Sequence, residues 1–514
     1  MQEEKPLGWS ESIRQLLHPR VVTMLFLGFS AGIPILLIFS SLSLWLIEAG
    51  VQKKTVTFFS WAALGYSFKF IWAPLIDKLP VPFLTRALGR RRAWLLISQT
   101  LVICAIVLMG SIDPASGEQT LVLLALAAVM LGFSSATQDI VVDAYRIESA
   151  AVRLQGLMSS TYVTGYRLAM IVAGAGALYI AEYLGSTNDL YVYSAWRYTY
   201  FIMASVMLVG VVTTLLIPEP TASKQSRYQY QNSDYLRMLL LFACSVGAFV
   251  MFYFYSGDVI ASLRRSLPGM SGGLSGFLLE ATRLMLALSC SFLIGWSLIR
   301  VGMVDKAIAS DTWIEPVTDF FQRYGLKTAL LLLALVGLYR TSDIVLGVIS
   351  NVFYHNTGFS KTVIADAVKV FGVVMTIAGT FLGGIFATRF GVMRTLLWGA
   401  ILAAVSNLFF ISLSYVGASV PWLYTVVTVD NLAAGFATAA FIAFLSSLTN
   451  ISFTAVQYAI FSSLMTLFPK LLGGYSGSMV EAIGYPYFFV GTTLMGLPVI
   501  ILVITINRFF AVKD

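Results

Sequence analysis

The chain has 514 residues, of which 58% are hydrophobic and 11% charged, with a mean hydropathy of +0.83. Ordinary soluble domains carry roughly 25% charged residues, so this composition identifies a membrane protein. The net charge of +8 does not point to nucleic acid. The basic residues fall in short loops between apolar runs, where they report topology instead. Cys104, Cys244 and Cys290 each lie inside an apolar run, as small hydrophobes rather than a disulfide framework.

The N-terminus starts with charged residues and shows no small-residue cleavage site, so the first apolar run is expected to remain as an anchor. Trp9, Ile13, Leu16 and Leu17 share one face at helical spacing, which predicts a short interfacial helix. Apolar runs of about 20 residues, enough to cross a bilayer, then recur at 21–47, 57–76, 93–112, 120–141, 155–181 and 196–217. A polar segment from Pro218 to Asp234 precedes two more runs, at 235–256 and 276–299. Glu280 and Arg283 stand three apart on the second of these and are expected to pair. In the polar stretch that follows, Trp313, Val317, Phe320, Phe321 and Tyr324 repeat at helical spacing opposite Asp319 and Gln322, predicting another interfacial helix. Six runs close the chain, at 327–353, 363–387, 393–415, 421–447, 455–475 and 485–506.

The predicted fold class is therefore an all-α polytopic membrane protein of about fourteen spans. Its expected divisions are 1–20, the N-terminus with its interfacial helix; 21–217, a six-helix half; 218–326, a central insert with two spans; and 327–514, a second six-helix half. Over the first six spans, the side holding the N-terminus carries Lys5, Arg14, Arg20, Lys78, Arg86, Arg90, Arg91, Arg92, Arg146 and Arg153, against Lys53 and Lys54 opposite. That asymmetry puts the N-terminus in the cytoplasm, and the even span count puts the C-terminus, with Arg508 and Lys513, there too.

The stretch Leu131 to Glu148 ends an apolar run with Gln138, Asp139, Asp143 and Arg146. Ionisable groups inside a membrane helix usually face a bundle interior or a wet cavity, pair with one another, and mark a substrate or ion path.

Two loops repeat a pattern. APLIDKLPVPFLTRALGRRRAW follows the second span, and GGIFATRFGVMRTLLW follows the second span of the last six. Each has a small residue (Ala73, Gly384), then Asp77 or Thr388 four positions on, then Lys78 or Arg389, then Gly89 or Gly391 with further cations. This resembles the loop motif G-x-x-x-D-R-x-G-R-R of the major facilitator superfamily, with an insertion in the first copy and Thr388 in place of Asp in the second. Longer strings, among them FLGFSAGIP, FKFIWAPLIDK, FSSATQDIVVDAYRIE, VTGYRLAM, DTWIEPVTDFFQRYG, LYRTSDI and GFATAAFIAFLSSLTN, resemble the AmpG-type muropeptide permeases of Gram-negative bacteria. That resemblance implies a multi-pass protein of the bacterial inner membrane. It would import GlcNAc-anhydro-N-acetylmuramyl peptides from the periplasm, driven by protons, for peptidoglycan recycling and beta-lactamase induction. It further implies two spans inserted between the halves, and a monomer among lipids with no cofactor, no metal and no nucleic acid.

In such a bundle the first, fourth, seventh and tenth core helices line the cavity. They carry Ser30, Ser40 and Ser41; Gln138, Asp139 and Asp143; Arg340, Asp343 and Asn351; and Asp430 and Asn431. Lys69 and Arg167 enter at depths like that of Asp139, whereas Asp366 and Lys369 match Asp343, so Asp139–Arg167 and Asp343–Lys369 are the expected pairs. Substrate binding or proton coupling is thus assigned to Lys69, Gln138, Asp139, Tyr166, Arg167, Arg340, Asp343, Lys369, Asp430 and Asn431. Gating is assigned to Asp77, Arg90, Arg91, Asp143, Arg146 and Arg389. Trp45, Tyr66, Trp72, Tyr162 and Tyr166 offer faces for sugar rings, but for most of them an interfacial-belt or packing role is the leading expectation. A membrane enzyme is disfavoured. Only His18 and His355 are present, no G-x-S-x-G occurs, and no loop is large enough for a catalytic domain. The remaining alternative is a related transporter of a peptide, sugar or acyl-coenzyme A.

Overall fold

The computed structural model describes residues 8–52, 55, 56, 59, 62, 64–187, 190–221, 231–266 and 273–511. Lys5, Lys53, Lys54, Lys513 and the side chains of Trp9 and Glu280 lie outside the described residues. Among the described residues, all the secondary structure is helical. Thirteen of these helices are long and apolar enough to cross a membrane: α1 (Pro19–Glu48), α2 (Arg90–Gly110), α3 (Glu118–Ser149), α4 (Val152–Tyr183), α5 (Tyr193–Leu216), α6 (Ser233–Gly257), α7 (Thr282–Arg300), α8 (Leu326–Thr357), α9 (Thr362–Phe390), α10 (Val392–Val416), α11 (Val420–Leu448), α12 (Ile451–Lys470) and α13 (Ser476–Arg508). The run expected at 57–76 is partly outside the described residues. From Leu64 it proceeds as three short pieces, Leu64–Phe68, a 3-10 turn Lys69–Ile71, and Ala73–Lys78. Pro74 accounts for the interruption, because its ring excludes the carbonyl of Phe70 from the helix and it donates no hydrogen bond.

Two compact units are present. One holds Met1–Ile76, Pro80–Ser226 and Phe321–Asp514; the other holds Asp77–Leu79 and Arg227–Phe320. In the smaller unit α6 and α7 form a hairpin. Ser291 Oγ donates to the carbonyl of Ser245 at 2.8 Å, and the Arg283 guanidinium lies 3.9 Å over the ring of Tyr253. Arg283 Nε donates to the Tyr253 carbonyl and to Ser256 Oγ, both at 3.1 Å. Lys78 Nζ meets Asp311 Oδ2 at 2.7 Å. The amphipathic segment forms a helix at Glu315–Tyr324, in which Phe320 is buried, Trp313, Phe321 and Tyr324 beside it are half-buried, and Val317 is exposed. The short helix Trp9–Arg14 presents Ile13 outward, with Leu17 exposed in the following turn, and buries Ser12.

The larger unit contains α1 to α5 with the broken run from Leu64, called the first half below, and α8 to α13, called the second. Within the first half α1 and α4 approach so closely that a Cβ on Gly165 would overlap the carbonyl oxygen of Leu25. Three breaks in regular helix bear on function. α1 is interrupted at Phe39 (φ −97°, ψ −91°), five residues after Pro34. α8 is interrupted at Tyr339 and Arg340, where a new half-helix, Thr341–Thr357, begins. α9 carries a π-helical segment, Ala365–Phe371. A discontinuous helix in the middle of a membrane is tolerated where it is buried in protein or lines a cavity.

Gly165→Ala should destabilise the first half by about 1–3 kcal/mol, the usual cost of overpacking. The expected readout is a lowered midpoint of thermal unfolding in detergent. Gly347→Ala, on an open face with nothing within 4 Å, should leave that midpoint unchanged.

Candidate functional site

The end of α3 gathers buried polar side chains where the two halves meet. Arg146 is 0% exposed. Its NH1 donates to Gln155 Oε1 at 3.0 Å and Ser159 Oγ at 3.3 Å on α4, and to Ser446 Oγ on α11 at 2.7 Å. Its NH2 reaches Asp143 Oδ1 at 3.3 Å, and the guanidinium lies 5.2 Å over the ring of Tyr458 on α12. α3 and α4 belong to the first half and α11 and α12 to the second, so Arg146 joins them. Beside it, Ser160 Oγ on α4 donates to the carbonyl of Thr380 on α9 at 2.5 Å, and Thr388 Oγ1 to the carbonyl of Arg153 at 3.3 Å. Gly156 and Gly384 face one another so closely that a Cβ on Gly384 would overlap Ser160 Oγ. These contacts all sit at the end of the bundle that carries the basic loops.

A second cluster braces the same end inside the first half. Arg91 forks onto Glu148, its Nε 3.1 Å from both carboxylate oxygens, and Arg90 NH2 lies 3.5 Å from Oε1. Both partners of the Arg91–Glu148 pair have fully buried side chains. The backbone N–H groups of Arg91 and Arg92 donate to Glu219 at 2.8 and 3.1 Å, so a carboxylate caps the positive end of α2. Two of the gating arginines were legible from the sequence, but their carboxylates, Glu148 and Glu219, were not singled out. Burying two adjacent arginines demands an acid nearby, and that demand was the available signal. Asp77 is buried, and the Arg389 guanidinium stacks 5.3 Å over Phe390.

Deeper along α3 lies Asp139, 8% exposed, whose Oδ1 is buried with no hydrogen-bond partner. Its charged neighbours are Lys69 and Asp143. Lys69 Nζ stands 3.8 Å from Asp143 Oδ2. Tyrosines from three elements interact electrostatically with Asp139: Tyr66, Tyr162 with Tyr166, and Tyr458. Tyr66 donates to Ser135 Oγ at 2.7 Å, and the rings of Tyr162 and Tyr166 lie 6.1 Å apart. Gln138 is fully buried and donates to Ser30 Oγ at 2.8 Å, which ties α3 to α1.

Further towards the opposite end stands a second group of charges, from both halves. Arg167, half-buried on α4, has Arg340 on α8 as its charged neighbour, and its one polar contact among the described residues is a 3.9 Å approach to Met170 Sδ. Arg340 Nε is 3.7 Å from Asp343 Oδ2, one helical turn on, and makes no hydrogen bond. Asp430 on α11 accepts from Ser406 Oγ at 3.4 Å and has Asp343 as its charged neighbour. Asn431 is spent on packing: its Oδ1 accepts from Thr376 Oγ1 at 2.9 Å, and its Nδ2 donates to the Val427 carbonyl at 3.0 Å.

Neither expected pair forms. Asp343 is matched with Arg340 instead of Lys369, because two groups three apart on a helix are neighbours whatever their depth. Lys369 and Asp366 are exposed on the π-helical segment of α9. Arg167 turns to Arg340, and the cation beside Asp139 is Lys69. Two of the aromatic candidates are packing residues. Trp45 is fully buried, stacked 5.8 Å from Trp196, and Trp72 donates to Thr137 Oγ1 at 3.0 Å. Ser41 is held by the carbonyl of Ala173 at 2.8 Å, whereas Asn351 is exposed. Among the described residues no group of three or more His, Cys, Asp or Glu is placed to hold a metal.

Glu148→Gln would leave Arg91 buried without its counter-charge. It should destabilise the first half by about 3–5 kcal/mol, the usual cost of breaking a buried pair on one side, seen as a lower unfolding midpoint that Arg91→Met in the same chain partly restores.

The family profile described as Major Facilitator Superfamily matches residues 70–309. The chain is 27% identical over 488 residues to "Putative transporter AmpG 4" of Rickettsia conorii, spanning 95% of this chain and 96% of that one. It is 29% identical over 501 residues to "Anhydromuropeptide permease" of Escherichia coli K12, spanning 97% and 82%. Among solved structures, the proton:xylose symporter XylE bound to 6-bromo-6-deoxy-D-glucose superposes with TM-score 0.55 at 15% identity, covering 96% of this chain and 95% of that one. An outward-facing bacterial homologue of the iron transporter ferroportin superposes with TM-score 0.55 at 13% identity, covering 96% and 99%. With thirteen helices long and apolar enough to cross a membrane, the chain has the major facilitator fold, and along nearly its whole length it is similar to proteins named as AmpG transporters and anhydromuropeptide permeases.

Proposed function

We propose that this chain is an inner-membrane permease that imports GlcNAc-anhydro-N-acetylmuramyl peptides from periplasm to cytoplasm by proton-coupled alternating access. The observation that carries the coupling is Asp139, a carboxyl group inside the bundle with an oxygen buried and unpartnered. A carboxylate there, in a wall of tyrosines, is costly when charged and acquires a donor when protonated. The substrate class rests on the relatives' names and on surfaces that suit a sugar: Tyr66, Tyr162 and Tyr166 are only half-buried. Aromatic faces of this kind stack on pyranose rings, and phenolic hydroxyls bond to sugar hydroxyls.

The basic loops beside Arg146 support a cytoplasmic position for that end. With the halves touching there, the chain is closed to the cytoplasm, and the charged groups deeper in the bundle are more exposed than Arg146. Side-chain exposure is 0% at Arg146 and 11% at Asp143, against 23% at Arg340 and 14% at Asp343. In the proposed cycle the substrate enters from the periplasm and Asp139 takes up a proton. The neutral acid no longer competes with Asp143 for Lys69, so Lys69 closes on Asp143. Asp143 then loosens its hold on Arg146, and Arg146 releases Ser446. The halves part at that end and both cargoes leave.

The test is uptake of labelled anhydromuropeptide into proteoliposomes with and without an imposed proton gradient. The wild type should accumulate substrate at least tenfold more with the gradient. Asp139→Asn should lose that accumulation and keep substrate exchange. Uptake that ignores the gradient would overturn the coupling. Competition by a free peptide, a simple sugar or an acyl-coenzyme A, with none by the anhydromuropeptide, would overturn the substrate.

A further inference from the structure

Arg167 and Arg340 come from opposite halves, and their charges repel each other. The other buried cations have acids: Lys69 and Arg146 share Asp143, and Arg340 has Asp343 at 3.7 Å. Asp430 faces Asp343, and Asp139 faces Lys69 and Asp143. Arg167 alone among these cations has no carboxylate in contact, and its neighbours are a tyrosine, a methionine sulfur and a second arginine. Arg340 stands at the break in α8, where the half-helix Thr341–Thr357 begins and its first backbone N–H groups add positive potential. Its Nε has no hydrogen bond. Two guanidinium groups, one from each half, therefore interact electrostatically beside a helix start.

We infer that Arg167 and Arg340 form a carboxylate subsite bridging the two halves, and that a substrate carboxylate seated there is the counter-ion without which the periplasmic side does not close. A guanidinium binds a carboxylate in a fixed bidentate geometry, and two of them from opposite walls hold the anion between them. Empty, the pair pushes the halves apart at this level; filled, it draws them together. A neutral sugar reaching the tyrosines would not trigger occlusion. This deepens the permease reading and rests on it for the identity of the cargo, but not for the charge-controlled closure.

Two measurements separate those points. The first is uptake of three probes by the reconstituted full chain: GlcNAc-anhydro-N-acetylmuramic acid with its lactyl carboxylate free, the same sugar as its carboxamide, and the same sugar extended by a peptide bearing its own carboxylates. At least one acid should be carried tenfold or more faster than the carboxamide, and the one preferred identifies the sugar or the peptide as the source of the anion. Arg167→Gln should collapse that preference to within threefold, and Arg167→Lys should retain part of it. A carboxamide carried as fast as both acids, or a Gln variant that lowers all three equally, overturns the inference. The second needs no substrate. Spin labels at Gln52 and His355, in a chain whose three cysteines are replaced by serine, report the distance between halves by electron double resonance. Arg167→Gln without ligand should raise the short-distance population at least threefold. A distribution identical to that of the parent overturns the inference, even where none of the probes is carried and the permease reading has itself failed.

Discussion

The junction between the halves is organised around a fully buried guanidinium. Arg146 lies at a junction of two six-helix halves with no exposed surface, so every hydrogen bond it makes comes from protein. Leaving such a cation unpaired costs far more than the net worth of its bonds. Its partners therefore cannot be lost one at a time. Ser446 and Tyr458 lie across the junction, whereas Asp143, Gln155 and Ser159 lie on its own side, so the halves part only when water or a rearranged acid replaces what the far side supplied.

The other charges extend this logic through the membrane. Asp143 is shared by Arg146 and Lys69, and Lys69 also faces Asp139, so one proton on Asp139 alters the balance of a chain of four groups. The chain ends at residues with partners in both halves. A local event at a carboxyl is thus converted into a change at the junction without any long-range strain in the backbone. Beyond Asp139 the pattern changes from shared acids to Arg167, a cation with no carboxylate in contact among the described residues.

The spans were legible because hydrocarbon leaves so little choice: runs of apolar residues at 21–47 or 421–447 can hardly be anything else. The ionisable residues were legible for the same reason, since each stands out against its run. Their pairing was not. Depth counted along the chain matched Asp343 with Lys369, but it says nothing of azimuth, and the rival Arg340 was only three residues away. The π-helical winding of α9, which has no sequence signature of its own, further altered where Lys369 points. Arg283 bonds across the hairpin to Tyr253, whereas its expected partner Glu280 has its side chain outside the described residues. Glu148 and Glu219 were passed over because they sit at helix ends, where a charge looks like an ordinary solvated cap, whereas the neighbouring helices enclose them.

The glycines of α4 act in two opposite ways. Gly165 lets α4 press against the backbone of α1 so tightly that no side chain fits, which welds the first half into one body. One face of the helix away, Gly156 meets Gly384 across the junction. No long side chain interdigitates there, so no rotamers must unlock and little dispersion is lost when the surfaces slide apart. The junction behaves as a dry bearing: close enough when shut to exclude solvent, smooth enough to open without tearing packing, with the adhesion concentrated in a few hydrogen bonds that charge can switch. Separating a rigid half across such a contact costs mainly those few bonds, and almost nothing in packing.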